Sequence, residues 1–371
     1  MTSNNPDLKP RGRTTGDPAI DESIRALLDT LAPPRYRDQL QEILVSVADL
    51  AHGPASRLDV KIANAALREM VQAFEVFAPF RDAPKMTMFG SARTGPEDPV
   101  YAQARDLARR MADEGWLVVT GAGPGIMAAG FEGAGKERSL GVNIRLPFEQ
   151  SANALLGDDP TRLVEMRYFF TRKLMLMKES AGFVCLPGGF GTLDEAFELL
   201  TLLQTGKAEP APVVFLNLPG GTYWQGWERF VREEVAARGL IDEADEHLYL
   251  VTDDASQAAE ELLGFFRNYH SRRWVGDLMV IRLKGEPTDL EIASLQERFA
   301  DISTDGVIRR TRPLPVEKHN DDHLDLPRIA LRFDRFRHGR LRLLIDAIND
   351  LPSAPAVTTR PPTTAEEDEK A

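Results

Sequence analysis

PGGFGTLDE, Pro187–Glu195, follows the apolar run GFVCLPGG and precedes the periodic run EAFELLTLLQ that ends at Gln204. An apolar run, a cluster of glycines and a helical period read as strand, tight loop and helix. Gly188, Gly189 and Gly191 let the backbone take unusual angles and approach a ligand closely, and Thr192 offers a hydroxyl expected to cap the helix. The uncapped N–H groups of a first helical turn attract anions, phosphate above all. Glu195, one turn further on, would stand over whatever the phosphate carries. By itself such a stretch is also an ordinary glycine turn with a solvated glutamate.

Its neighbours decide between the two. Outward from this stretch the chain keeps an alternating strand and helix rhythm from Lys85 to His270: KMTMFGSA, WLVVTGAG, SLGVNIRLP, LVEMRYFF, GFVCLPGG, APVVFLNLP and LYLVTD are strands, with amphipathic helices between them. This rhythm predicts an α/β fold, a Rossmann-like parallel sheet with helices on both faces. Right-handed crossovers bring every strand-to-helix turn to one edge, where ligands bind. Ser91, the TGAGPGIM loop with Gly121, Gly123, Gly125 and Met127, and the PGGFGT loop should therefore converge. Arg172 and Lys173 open the helix before the PGG strand, and cations at a helix N-terminus call for an anion or an anionic side chain to offset them.

The flanks read differently. Residues 1–17 are polar and expected to lack structure, and 18–84 form an N-terminal helical extension. Residues 275–351 read as β-α-β-β-α, a small α+β module that serves equally well as a regulatory or assembly unit or as a structural cap. Residues 352–371 end in EEDEKA and are expected to be a disordered tail.

Bulk properties narrow the chemistry. A net charge of -12 excludes a broad nucleic-acid or anionic-membrane surface, so the partner is a small molecule. The single cysteine, Cys185, lies in an apolar strand and cannot form an internal disulfide; with no leader or long apolar run, a cytoplasmic protein is expected. GAGPG is not GxGxxG and no acidic residue ends the next strand, so no nicotinamide cofactor is expected; nor does GK[ST] follow to make a nucleoside-triphosphate loop. His319 and His323 in HNDDH have helical spacing, but prolines at 313, 315 and 327 favour a solvated loop, and no metal is expected.

FGSA at Phe89–Ala92, TGAGPGIM at Thr120–Met127, the Arg172-Lys173 pair and PGGFGTLDE together resemble the LONELY GUY family, phosphoribohydrolases that release the free base from cytokinin nucleotides. The likeness covers about 85–270. It implies that the glycine loop holds phosphate, that Arg172 and Glu195 serve glycosidic cleavage, that the substrate is a nucleoside 5′-monophosphate, and that the chain forms a dimer or larger homo-oligomer. GAGPGIM in place of the family's GGGxxGLM, and FFTRK in place of MHxRK, look closer to larger bacterial nucleosidases that split purine or pyrimidine monophosphates. Members of the group are often labelled lysine decarboxylases, but nothing here resembles a pyridoxal phosphate site. The rival reading is a nucleotide or cofactor carrier or sensor that uses the same cradle and catalyses nothing.

Overall fold

A computed structural model describes residues 13–31, 36–145, 156–157 and 159–356. Two compact units divide the chain at residues 68 and 69.

The first unit holds α1 (Pro18–Thr30), α2 (Arg37–His52) and the start of α3 (Arg57–Phe77). Asp17 caps α1 by accepting from the N–H groups of Ala19 and Ile20, and Pro18 occupies the first turn, where a missing N–H costs nothing. Ile24, Leu28 and Val45 form a small apolar core. The expected disorder of residues 1–17 lies outside the described residues as far as 12. Arg13 to Asp17 are ordered instead, because Arg13 pairs with Asp49 at 2.6 Å and Thr15 bonds Asp21.

The second unit begins inside α3. Ala73, Val76 and Phe77 of that helix pack in the main core beside Leu117, Val119 and Met175, so the helical extension read over 18–84 is split between the two units.

Then come β1 (Lys85–Phe89), α4 (Pro99–Asp113), β2 (Leu117–Thr120), α5 (Ile126–Ala134), β3 (Ser139–Ile144), β4 (Leu163–Met166), α6 (Phe169–Lys178), β5 (Gly182–Cys185), α7 (Phe190–Gln204), β6 (Val213–Leu216), α8 (Tyr223–Phe230), β7 (Leu250–Thr252) and α9 (Ala255–Gly264). The seven strands pair in parallel in the order β4-β3-β2-β1-β5-β6-β7. Apolar residues fill both faces of the strands, as a sheet covered by helices on each side requires. From β1 the chain winds outward through β2 to β4, then returns to lay β5 against the other side of β1. The crevice between β1 and β5 is therefore the switch point of the sheet, and it lies between the FGSA and PGG loops.

The chain continues with β8 (Tyr269–Val275), β9 (Leu278–Leu283), α10 (Asp289–Phe299), β10 (Ser303–Thr311), α11 (Pro315–Asn320), β11 (Arg328–Phe333) and α12 (His338–Asn349). Four of these strands make an antiparallel sheet in the order β10-β11-β9-β8. The sequence reading lacked β8, because YHSRRWV places adjacent arginines where a strand signal would need apolar alternation. Arg272 and Arg273 are nevertheless buried, paired with Glu209 and Asp322. Leu262, Phe265 and Tyr269 share one continuous core with Met279, Ile281 and Leu344, so the C-terminal module is fused to the parallel-sheet unit. Ser353 N–H donates to Glu291 and the Pro355 carbonyl accepts from Arg267, which orders the first residues of the expected tail; residues 357–371 lie outside the description.

HNDDH also differs from its reading as a loop. Pro315 sits at the first position of α11, where proline starts a helix, and His319 belongs to that helix. His323 lies beyond it and packs edge-on against His270, with ring centroids 4.7 Å apart. Among the described residues, no group of three or more histidine, cysteine or acidic side chains is arranged to hold a metal ion.

Candidate functional site

The three glycine-bearing loops meet at the switch point through the backbone of Ser91. Its N–H donates to the Pro187 carbonyl at 3.2 Å, and its carbonyl accepts from Ile126 N–H at 3.0 Å. One residue after β1 thus joins the loop after β5 to the start of α5. Gly125 serves this junction: its φ of +69° lies in the region that favours glycine, and a Cβ there would collide with the Ser91 carbonyl.

Gly188 is needed for a related reason, since a Cβ on it would overlap the Thr192 hydroxyl and crowd Ser91 N. Thr192 does not cap α7. Gly189 is the N-cap and makes no side-chain cap, while Thr192 is already inside the first turn and 4% exposed. The start of α7 is consequently backbone alone, with Gly189 and Gly191 exposed. Such a turn suits an anion, both through its N–H groups and through the helix dipole.

Beside it lies a buried ion pair. Arg172 Nη1 stands 3.7 Å from Glu195 Oε1, with the side chains only 10% and 13% exposed. Arg172 Nε donates to the Val142 carbonyl at 2.9 Å, which fixes the guanidinium over Gly121; a Cβ at 121 would occupy its place. The Met127 side chain also lies where Cβ atoms on Gly121 and Gly123 would stand. Arg172 therefore links α6, β3, the β2 loop and α7. Burial pushes the Glu195 carboxyl up to about 7, a rise that the nearby Arg172 charge partly offsets. A carboxylic acid that titrates near neutrality, against a cation and beside an uncapped helix start, can exchange protons and stabilise developing positive charge.

Lys173 goes elsewhere. Its ammonium pairs with Asp194 at 3.0 Å and with Glu198; burial lowers its proton affinity, but these carboxylates raise it above the usual lysine value. These two pairs clamp α6 to α7. Both helices carry half of the Arg172–Glu195 pair, so the clamp holds their spacing.

Two contributors went unread in the sequence. Glu69 on α3 is 6% exposed, and its carboxylate accepts from Arg167 N–H at 2.9 Å and from the Thr171 hydroxyl at 2.7 Å. It supplies negative charge at the start of α6, whose N-cap Tyr168 makes no side-chain cap. The available signal was a charge set on the buried stripe of α3, between Ala66 and Ala73. The second is Tyr223, whose hydroxyl donates to the Gly188 carbonyl at 2.7 Å. Nothing within one sequence links residues 35 positions apart.

Residues 125–262 match a family model described as possible lysine decarboxylase. A probable cytokinin riboside 5′-monophosphate phosphoribohydrolase of Oryza sativa subsp. japonica is 28% identical over 172 residues, covering 46% of this chain and 71% of the relative. One from Arabidopsis thaliana with the same description is 28% identical, covering 43% and 76%. Among solved structures, a molybdenum cofactor binding protein of Rippkaea orientalis is similar at 20% identity and a TM-score of 0.35, covering 48% of this chain and 94% of that one. The molybdenum cofactor carrier protein of Chlamydomonas reinhardtii is similar at 20% identity and a TM-score of 0.32, with 48% and 94% covered. No helix among the described residues is long and apolar enough to cross a membrane.

Proposed function

The chain resembles the LONELY GUY phosphoribohydrolases across its parallel-sheet domain, and from that premise we propose that it hydrolyses the N-glycosidic bond of nucleoside 5′-monophosphates, releasing free base and ribose 5-phosphate. The observation that carries the reading is the buried Arg172–Glu195 pair set beside the uncapped start of α7. Cleavage of this bond passes through an oxocarbenium-like state, which a carboxylate beside the anomeric carbon stabilises. Glu195, poised near pH 7, accepts the proton of the attacking water. Arg172 holds Glu195 in place and keeps a useful fraction of it ionised. Gly188, Gly189, Gly191 and Thr192 hold the phosphate, whose binding energy positions the sugar for attack. The β1 and β2 loops, with Ser91, Gly121, Gly123, Gly125 and Met127, form the opposite wall.

Exposed Phe169, Phe170 and Leu174 of α6, and Phe190, support assembly with further copies of the chain. Phe190, the first residue of α7, is 93% exposed. The reaction takes place in the cytoplasm, where such nucleotides are found and where the buried Cys185 stays reduced.

The test is incubation of the protein with AMP, GMP, CMP, UMP, IMP and an isopentenyl-adenosine monophosphate, with chromatography of free base and Glu195→Ala alongside. Base release lost in the variant supports the hydrolase. Tight nucleotide binding without release from any of the six would favour the carrier or sensor reading.

A further inference from the structure

We propose that Tyr223 is a positioning residue for phosphate recognition, aiming the Gly189 N–H into the cradle by holding the carbonyl of the same peptide. This rests on the reading of the PGG loop as a phosphate seat.

The argument begins with the peptide unit. In a trans peptide the C=O and N–H point in opposite directions, and the described backbone contains no cis bonds. Fixing the Gly188 carbonyl on Tyr223 therefore turns the Gly189 N–H away from Tyr223. Fixing the Pro187 carbonyl on Ser91 N–H does the same for Gly188 N–H. Two consecutive carbonyls, each of which would repel an anion if its peptide turned over, are thus engaged by donors from the loop after β1 and from α8. Glycine peptides turn over more easily than others, so a loop with glycines at 188 and 189 needs such restraints.

Tyr223 is itself firmly seated. It opens α8, and the next residue, Trp224, donates its N–H to Asn217 Oδ1 at 3.0 Å. Asn217 is 1% exposed, directly follows β6, bonds Gln225 through its Nδ2 at 2.7 Å and receives Gln103 on its carbonyl at 2.9 Å. Trp224 stacks on Phe215 with centroids 4.5 Å apart, and the Tyr223 ring stands edge-on to Trp224. The hydroxyl is delivered by the strand end next to the PGG strand, so its position follows from the sheet. Burial raises the Tyr223 phenol above its ordinary value, which keeps it a donor throughout the neutral range.

Tyr223→Phe removes the donor and keeps the ring. Tyr223 is 37% exposed, so the variant is expected to fold, which an unchanged melting temperature would check. Calorimetric titration of the full-length protein with ribose 5-phosphate is expected to show about three- to tenfold weaker binding in the variant, the range of one neutral hydrogen bond. With an active nucleotide, KM rises by the same factor and kcat changes less than about twofold. Unchanged ribose 5-phosphate affinity overturns the proposal. So does an equal loss of affinity for the phosphate-free nucleoside, which would mark a structural effect, and so does a wild-type protein that binds no ribose 5-phosphate. Absence of hydrolysis with any nucleotide would defeat the hydrolase reading and leave the titration as a decisive test of Tyr223.

Discussion

Replacing Glu195 with glutamine probes the electrostatic heart of the site without reference to turnover. In the folded protein the carboxyl titrates near 7, against an ordinary value of 4.5. The difference of about 2.5 units, at about 1.4 kcal/mol each, corresponds to about 3 kcal/mol. Because the folded value is raised, the native state holds this proton more tightly than the unfolded chain. The associated stability is fully present below about pH 4.5, falls as the unfolded chain ionises, and is lost once pH passes about 7. Glutamine keeps the shape and does not titrate. The advantage of Glu195→Gln over wild type should therefore grow from pH 4.5 to about 7.5 by about 3 kcal/mol and then level off. Urea unfolding of both proteins across that range measures the difference directly, and the shared response of all other groups cancels. A constant difference would show that attraction to Arg172 balances burial, and one that increasingly favours wild type at higher pH would show that it outweighs burial; either makes Glu195 an ordinary ionised partner.

Three further outcomes follow from the same geometry. The rate of base release should fall about tenfold per unit below about pH 7 as Glu195 gains its proton, and Arg172→Met should move that midpoint upward by removing the charge that favours the carboxylate; pH profiles of kcat/KM compare the two. Gly121→Ala should displace the guanidinium from its seat and cut turnover at least tenfold with an unchanged circular dichroism spectrum, whereas full activity would mean that Arg172 acts from another position. In the C-terminal module, Glu317 is fully buried between Arg282 at 3.1 Å and Arg328 at 2.7 Å, and Arg282 and Arg273 otherwise share Asp322, so Glu317→Gln should cost about 3 kcal/mol in urea unfolding by leaving three buried arginines with one carboxylate.

The sequence by itself determined the α/β rhythm, the parallel sheet and the glycine-rich loops that meet at its switch point, because these depend on periodicity, glycine placement and short apolar runs that are local in the chain. Arg172 and Glu195 were legible through the motifs that hold them. Their neighbours were not, and the reason is distance along the chain. Glu69 reaches Thr171 across 102 positions, and Tyr223 reaches Gly188 across 35. Lys173 called for an anion or an anionic side chain by its place near a helix start, and only packing of α6 on α7 identifies Asp194 and Glu198 as its partners. Strand β8 was hidden because its arginines are polar by type yet buried by partnership. Local pattern specifies which residues form an element and which loops are glycine-rich. Burial and pairing between distant segments exist only once the chain is folded, and here they set the Glu195 carboxyl near neutrality, the orientation of the PGG peptides and the single core shared by the two sheets.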